Sequence, residues 1–462
     1  MKKIIIAMIL VLACMTAGAQ TSVWHGGRSL WTRGSGYEDD PFLIESADQL
    51  AFLSYMVGKG FDTQGLFFKL TVDIDLNANA MQQWIPIGLM NDSYNEDGCE
   101  RHSVPTMVSS TLLAFRGHFD GDDHSISNIY VDREGGVVGL FGMVGDTGDT
   151  LEIVKNVFLT SGYIKGDICG GIVGNCYGNA SVKISRCWNG ADIEGDRAGG
   201  IVGGKADKIR NCYNKGTIIG TNNVGGIVGV SAHELDECYN QGTIIGDGSG
   251  GGIVGGFRVD NLTISNCYNT GQIMVSGTNS PNGVLPVGGL VGVASSGNNV
   301  MTNCYNAGYI SSTIYEPGSL AGVFRGTIQN SFYLNTCGGV GQGTPKSMEE
   351  MLDASFVDTL NFNTNVWCVD TLNYNNGFPI LGANNLAVNE FASNGLSIYP
   401  NPNRGWFTVE GSGELTVFNV LGQAVLTKTV KVQTSLELAP GLYLICLKDG
   451  ESVSIQRVVV VN

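Results

Sequence analysis

A short motif recurs along the middle of the chain and sets its architecture. The triplet Cys-(Tyr/Trp)-Asn begins at steps of 25, 26, 29 and 37 residues, at Cys187, Cys212, Cys238, Cys267 and Cys304. Between the triplets runs Gly-Gly-(Ile/Leu)-Val-Gly, which begins at Gly170, Gly199, Gly225, Gly251 and Gly288. A repeat of this length is typical of stacked architectures, in which each unit buries its apolar side against its neighbours.

Each unit has room for three short strands and for no helix of ordinary length. A third motif, as in Gly216-Thr217-Ile218-Ile219-Gly220, closes most units, and the apolar runs last only three to five residues between Gly, Asn and Asp. Such runs indicate strands joined by tight turns. Three strands per coil predict a β-helix, in which every strand pairs with its equivalent about 4.8 Å along the axis.

Composition supports this all-β prediction and excludes two other classes. The chain has 67 glycines in 462 residues, 15% charged residues and 43% hydrophobic residues, which favours many turns over disorder. Its formal net charge of −16 argues against a nucleic-acid surface, which requires clustered Lys and Arg.

The triplet cysteines are predicted to fill the core. Weaker copies of the motif replace cysteine with Ile129, Val157 or Ser331, so the position accepts a small buried side chain. Stacked thiols on adjacent coils point the same way and are poorly aimed for disulfides, so we expect them free. The residue before the cysteine is usually asparagine and is predicted to form a ladder that satisfies turn backbone groups, interrupted by Arg186 and Glu237.

The flanking segments complete the predicted domain organisation. Ser46 to Gln49 reads as a capping box that opens a helix from about Ala47 to Val57, whose apolar face suits the open end of a solenoid. A second capping box at Ser347 predicts a short helix to about Leu360. The chain is thus divided into an N-terminal cap with the first coils (20–114), the repeats (115–335), a C-terminal cap (336–381), a linker (382–396) and a small β-sandwich (397–462). A polar loop is predicted from Met90 to Ser110.

Residues 1–19 have the order of a secretory signal peptide. Lys2 and Lys3 precede an apolar run and the small residues Ala17-Gly18-Ala19, so cleavage is expected after Ala19. A lipoprotein signal with Cys14 lipidated is the alternative. No later run is long enough to span a bilayer.

The candidate functional residues are few. The aromatic residue of each triplet alternates with the inward cysteine and is expected to face outward as a ladder of rings for sugars or a partner surface: Trp188, Tyr213, Tyr239, Tyr268 and Tyr305. Packing against the next coil is the alternative reading, which we favour. Asp120, Asp122 and Asp123 are candidate calcium ligands, although an acidic turn explains them more simply.

No catalytic constellation or cofactor site is predicted. The only His-Glu pair, His233-Glu234, lacks the second histidine of a zinc peptidase helix. Carboxylate pairs for a polysaccharide lyase or glycoside hydrolase exist in Asp73 and Asp75 or in the Asp120 group, and solvation of the surface is the simpler reading of both.

The repeat array resembles the GLUG-motif family of bacterial surface proteins, through Gly-Gly-Ile-Val-Gly and the lead-in Phe115 to Gly121. The tail resembles the C-terminal sorting domain of the type IX secretion system of Bacteroidetes. The residues that carry this second resemblance, and that it implies as the sorting signal, include Pro400, Asn401, Pro402, Gly405, Gly422, Pro440, Gly441, Leu442 and Tyr443.

The two resemblances imply Sec export, passage through the outer membrane by the type IX machinery, and release or attachment to surface lipopolysaccharide. The predicted fold class is all-β: a parallel β-helix (β-solenoid) with a short N-terminal capping helix, followed by a small C-terminal β-sandwich. The predicted function is a secreted or cell-surface, non-catalytic repeat protein for adhesion or for binding a glycan or host protein, neither transmembrane nor a partner of nucleic acid. The alternative is a lyase or hydrolase on the same scaffold.

Overall fold

The chain folds into two compact units, residues 1–384 and 385–462. The computed structural model describes residues 21–88, 113–145, 147, 150–177, 182–256, 261–276, 286–313, 316–382, 397–399, 406–419, 424–439, 441–449 and 452–460. The predicted signal peptide, the whole Met90–Ser110 loop and nearly all of the linker therefore lie outside the described residues.

The first unit is a solenoid with three long sheets of parallel strands. Sheet A carries the triplets and has eleven strands in the order Thr21–Val23, Asp73–Asp75, Ser125–Ser127, Phe158–Leu159, Trp188–Asn189, Tyr213–Asn214, Tyr239–Asn240, Tyr268–Asn269, Tyr305–Asn306, Phe332–Leu334 and Thr344–Lys346. Each strand pairs with its equivalent one coil away, as in Tyr213 with Tyr239 and Asn214 with Asn240. This register confirms the stacking predicted from the repeat.

Sheet B precedes the triplet in each coil, and sheet C follows it. Sheet B has ten strands: Phe42–Ile44, Phe67–Leu70, His118–Asp120, Glu152–Lys155, Lys183–Ser185, Lys208–Arg210, Glu234–Asp236, Thr263–Ser265, Val291–Thr302 and Ala321–Gln329. Sheet C has eleven: Ile129–Asp132, Val137–Val138, Gly162–Lys165, Ile168–Gly170, Asp192–Gly199, Ile218–Gly225, Ile244–Gly246, Ser249–Gly251, Ile273–Val275, Val287–Gly288 and Ile310–Ser312. A further parallel pair joins Phe141–Val144 to Val173–Cys176.

The core of the solenoid is a set of aligned apolar columns. Ile184, Ile209, Leu235 and Ile264 occupy equivalent positions of sheet B, in register and buried. The Gly-Gly-(Ile/Leu)-Val-Gly segments return the chain to sheet B, and their second glycine lies against the triplet asparagine. A Cβ on Gly226 would lie 2.1 Å from the carbonyl oxygen of Gly252 and 2.6 Å from the Cβ of Asn240, so only glycine fits there.

The predicted N-terminal helix is present as Ala47–Gly58. The Ser46 side chain accepts from the backbone N–H of Gln49, as predicted, but Gln49 Oε1 accepts from the N–H of Glu45 rather than Ser46. Leu50, Leu53 and Val57 are fully buried. The helix packs beside Phe42–Ile44, the first strand of sheet B.

The segment after Ser347 differs in detail from the prediction. Ser347 and Glu350 form the predicted capping box, but the helix ends at Leu352 and a second helix, Ser355–Leu360, follows. Asp353 breaks the helix because its backbone is extended (φ −72°, ψ 137°). Two short antiparallel strands, Trp367–Cys368 and Ile380–Leu381, end the unit.

The second unit consists of two antiparallel sheets with a core of its own, as predicted. One sheet has the strands Ser397–Tyr399, Trp406–Glu410 and Gln433–Glu437; the other has Ala424–Val430, Gly413–Asn419, Gly441–Asp449 and Ser452–Val460. Phe407, Val409, Val417 and Ile445 are among its buried core residues.

Candidate functional site

The triplet cysteines point into the core, as predicted. All five are fully buried free thiols. The backbone N–H of Cys187 donates to Sγ of Cys212 at 3.4 Å, and the same bond joins Cys238 to Cys267 and Cys267 to Cys304. Burial raises the pKa of Cys212 and Cys267 well above the ordinary thiol value, so these thiols stay protonated and serve packing rather than chemistry.

The triplet asparagines form a buried ladder. Asn214 Nδ2 donates to Oδ1 of Asn240 at 2.8 Å, and equivalent bonds run from Asn189 to Asn214, from Asn240 to Asn269 and from Asn269 to Asn306. Each amide also donates to the carbonyl two residues ahead, as Asn240 does to Gly242 at 2.9 Å. The asparagine therefore holds the turn, and the ladder is more regular here than at the position before the cysteine.

The position before the cysteine instead has a left-handed backbone in seven successive coils, with φ between 43° and 54°: Asn156, Arg186, Asn211, Glu237, Asn266, Asn303 and Asn330. Asn128 shares this conformation (φ 56°) but lies between the sheet A strand Ser125–Ser127 and the sheet C strand Ile129–Asp132, so the motif copy predicted there is not equivalent to the others. Side-chain bonds between successive coils exist only in part, as from Asn330 to Asn303 at 2.7 Å. Asparagine recurs because it tolerates this conformation better than most residues.

The aromatic residues of the triplet stack into a ring column, but the prediction that they face solvent is wrong. Neighbouring rings from Trp188 to Tyr305 lie 4.6 to 5.5 Å apart between centroids and within 5° of parallel. Tyr213, Tyr239, Tyr268 and Tyr305 are buried, and only Trp188 is half-buried. Stacking leaves their faces covered by one another, in agreement with the alternative reading of packing between coils.

The segment Met348–Leu381 covers the C-terminal end of this column. Trp367 lies 5.5 Å from the ring of Tyr305 and 5.8 Å from that of Tyr268. The hydroxyl of Tyr305 donates to the carbonyl of Pro379 at 2.6 Å and accepts from Asn375 Nδ2 at 2.8 Å. The segment that was predicted to cap the C-terminal end of the solenoid therefore packs against the side of its last coils, through the rings of Tyr268 and Tyr305.

The candidate carboxylates are held by neighbouring groups of the same surface. Asp120 accepts from Asn156 Nδ2 at 2.7 Å and lies 3.4 Å from Lys155 Nζ, while Asp122 lies 2.9 Å from Lys69 Nζ. Asp122 and Asp123 have the left-handed backbone of a turn. Within the described residues, no three His, Cys, Asp or Glu side chains are grouped to hold a metal ion. This geometry suits the acidic turn better than a calcium site.

The second carboxylate pair is engaged in the same way. Asp73 accepts from the backbone N–H of Ser125 at 2.8 Å, and Asp75 accepts from Asn128 Nδ2 at 2.9 Å. Both carboxylates link one coil of sheet A to the next.

A band of cations on the outer face of sheet B was missed by the sequence reasoning. Three successive coils carry Lys155, then Lys183 and Arg186, then Lys208 and Arg210, with Glu152 as the single acid at these positions. The register places Lys183 beside Lys208 and Ser185 beside Arg210. Aligning the coils by their triplets would have found the band, because these cations precede the cysteine, or the equivalent Val157, by one to four positions.

Most of the sorting-signal residues lie outside the described part of the chain. Gly441, Leu442 and Tyr443 begin the strand Gly441–Asp449, and the hydroxyl of Tyr443 donates to the carbonyl of Ala439 at 3.0 Å. Pro400, Asn401, Pro402, Gly405, Gly422 and Pro440 are not described.

The fold and the tail together define the class: a β-solenoid repeat protein with a secretion sorting domain. Residues 397–461 match the family described as "Secretion system C-terminal sorting domain". The match indicates export by the type IX secretion system to the cell surface or the medium. No helix in the described ranges is long and apolar enough to cross a membrane.

Two curated proteins are similar to part of the chain. A "Putative Gly-rich membrane protein" of Evansella cellulosilytica is 29% identical over 235 residues, 43% of this chain and 23% of that protein. "Halomucin" of Haloquadratum walsbyi is 27% identical over 204 residues, 41% of this chain and 2% of that protein. The matched regions are thus less than a quarter of the length of either relative.

Proposed function

We propose that the protein is a non-catalytic binding protein of the GLUG-repeat type, displayed on or released from the surface of a Bacteroidetes cell, whose solenoid flank binds a glycan or a host protein. The proposal rests on one observation: the same chain contains a three-sheet solenoid and a C-terminal domain of the secretion sorting family. A solenoid offers long, regular side-chain columns to a partner, which suits binding of an extended ligand.

The candidate catalytic groups support a non-catalytic role. Asp120 and Asp122 pair with lysines, and Asp73 and Asp75 accept bonds that join adjacent coils. A general acid of a glycoside hydrolase sits in an apolar pocket, whereas Asp120 and Asp122 lie on the surface beside lysines.

A binding array paired with a turnover assay tests the proposal. The full chain is applied to an array of microbial, plant and host glycans and of extracellular-matrix proteins, and is separately incubated with uronate polymers and neutral glycans. We expect saturable binding to one ligand class without release of sugar products. Product formation that Asp120→Ala abolishes would establish the lyase or hydrolase alternative and overturn this proposal.

The proposal also includes removal of the tail and attachment to surface lipopolysaccharide. Antibodies against the solenoid and against the tail, applied to cell fractions of the producing bacterium, separate the outcomes. We expect the solenoid epitope in the outer-membrane fraction with raised, heterogeneous apparent mass and without the tail epitope. A single unmodified mass in the medium would contradict attachment.

A further inference from the structure

The left-handed position of each coil contains one residue that packing does not explain. Five of its seven occupants are asparagine, and Glu237 is accounted for by its ion pair with Arg210 at 2.7 Å and by its burial. Arg186 is exposed at φ 49° and forms no ion pair with any residue that the structure describes. An exposed arginine in a backbone conformation that costs free energy suggests a role for its side chain.

The surroundings of Arg186 are cationic, although the chain carries a formal net charge of −16. The sheet B strands of these three coils and the turn at Arg186 carry five cations and one carboxylate, Glu152, which is in register with Lys183. Asp207 lies directly before Lys208. Lys183 donates to the carbonyl of Thr150 and makes no ion pair within the described ranges. These coils therefore form a local positive band, which we call the basic band: Lys155, Lys183, Arg186, Lys208 and Arg210.

Three members of the basic band have partial partners at its edges. Lys155 lies 3.4 Å from Asp120, Lys208 lies 2.6 Å from Glu234, and Arg210 pairs with Asp236 and Glu237. The Arg210 side chain is 64% exposed, and surface pairs of this kind contribute little, so its remaining N–H groups are available to a ligand.

We propose that the basic band binds the carboxylates of an acidic polysaccharide, with Arg186 and Lys183 as the central contacts; the inference rests on the proposed binding function and names its ligand class. Arg186 supplies the planar fork that matches a carboxylate, and Lys183 supplies a point charge on the same coil. The three coils span about 10 Å along the axis, since strands repeat every ~4.8 Å, which accommodates consecutive units of an extended uronate chain.

The next coil limits the site on one side. Its equivalent positions hold Glu234, Asp236 and Glu237, which would repel an anionic chain. The same acidic coil and the negative charge of the whole chain disfavour a long nucleic-acid duplex. A short stretch of acidic glycan can lie across the three basic coils without reaching the acidic coil, and it is short enough to avoid the negative charge of the rest of the chain.

Residues found at equivalent positions of other coils provide fold-compatible variants. Arg186→Asn introduces the residue of Asn211 and Asn266, and Lys183→Thr introduces that of Thr263. Lys59→Asn removes the same charge from the exposed end of the N-terminal helix and serves as the control. Binding of the full-length proteins is measured on immobilised polygalacturonate, neutral dextran and a DNA duplex at several salt concentrations.

We expect polygalacturonate to bind, with affinity reduced about tenfold or more in the double variant and unchanged in Lys59→Asn. The slope of log affinity against log salt should fall by roughly one for each charge removed. Equal affinity of wild type and double variant would overturn the site. Binding of dextran but not polygalacturonate would overturn the ligand class while leaving the proposed binding function intact, and equal binding of the DNA duplex would overturn recognition of a glycan.

Discussion

The left-handed residue before each cysteine shows how one backbone conformation selects an amino acid along the whole solenoid. The chain turns from sheet B to sheet A at this residue, and its φ varies by little more than 10° over seven coils. A left-handed backbone costs free energy for most residues that have a Cβ, and asparagine adopts it more readily than they do. Asparagine therefore recurs at this position even though its side chains form no continuous ladder. The asparagine signal thus reports backbone geometry more than hydrogen bonding between coils.

Asn211→Ala tests this explanation. Asn211 Oδ1 is buried without a hydrogen-bond partner in the described structure, so replacement by alanine removes no hydrogen bond of that oxygen. The remaining cost is that of placing alanine in a left-handed backbone conformation. We expect a loss of about 1 kcal/mol in the free energy of unfolding, measured by chemical denaturation. Asn211→Gly should lose less than alanine because glycine adopts positive φ freely. Equal losses in both variants would show that the side chain matters instead.

Tyr305 is the ring whose hydroxyl anchors the flank segment. Tyr305→Phe leaves the carbonyl of Pro379 and the amide of Asn375 without this partner in a buried site. We expect a loss of about 1 to 3 kcal/mol in the free energy of unfolding. Tyr309→Phe, at a tyrosine that is 54% exposed, should change stability by less than 0.5 kcal/mol or so. A similar loss in both variants would contradict the anchoring role.

At the scale of the element, the asparagine ladder is what fixes the register of sheet A. Its strands are only two residues long in the central coils, so few backbone bonds specify their alignment. The buried amides add one side-chain bond per coil that forms only when like positions stack. Replacing one of these amides by a carboxyl should therefore weaken the hydrogen bonding to both neighbouring coils.

Asn240→Asp makes that test dependent on pH. The carboxylate cannot donate to Gly242 or Asn269, and burial raises its folded pKa above the unfolded value of about 3.9. The folded state then binds the extra proton, so the stability of the variant falls as pH rises through the folded pKa. We expect a larger loss at about pH 7 than at about pH 4 relative to wild type. The exposed Asn222→Asp should show almost no such difference.

At the scale of the whole molecule, two separate cores predict two unfolding transitions. The solenoid core and the tail core share no residue. Leu447→Ala, a buried residue of the tail, should cost about 2 to 5 kcal/mol and lower only one transition in calorimetry. Ile264→Ala in the solenoid should lower only the other. A single transition that shifts in both variants would show that the units unfold together.

The features that depend on periodicity could be predicted from the amino-acid sequence. Stacking, the inward cysteines, the two capped helix starts and the alternating strands of the tail follow from spacing and residue type, because neighbouring coils repeat the same local environment. The predicted outward orientation of the triplet aromatics did not anticipate their burial, since the four tyrosines lie in the hydrophobic core.

The solvent accessibility of the aromatic and basic side chains depends on tertiary contacts, which the sequence does not reveal. The rings are buried because they stack on one another and because residues more than sixty positions later along the chain, such as Trp367 and Asn375, fold back over them. The basic band exists because three coils of different local sequence align their lysines and arginines on one sheet. Contacts of this kind join residues that are distant in sequence, so no local pattern contains them.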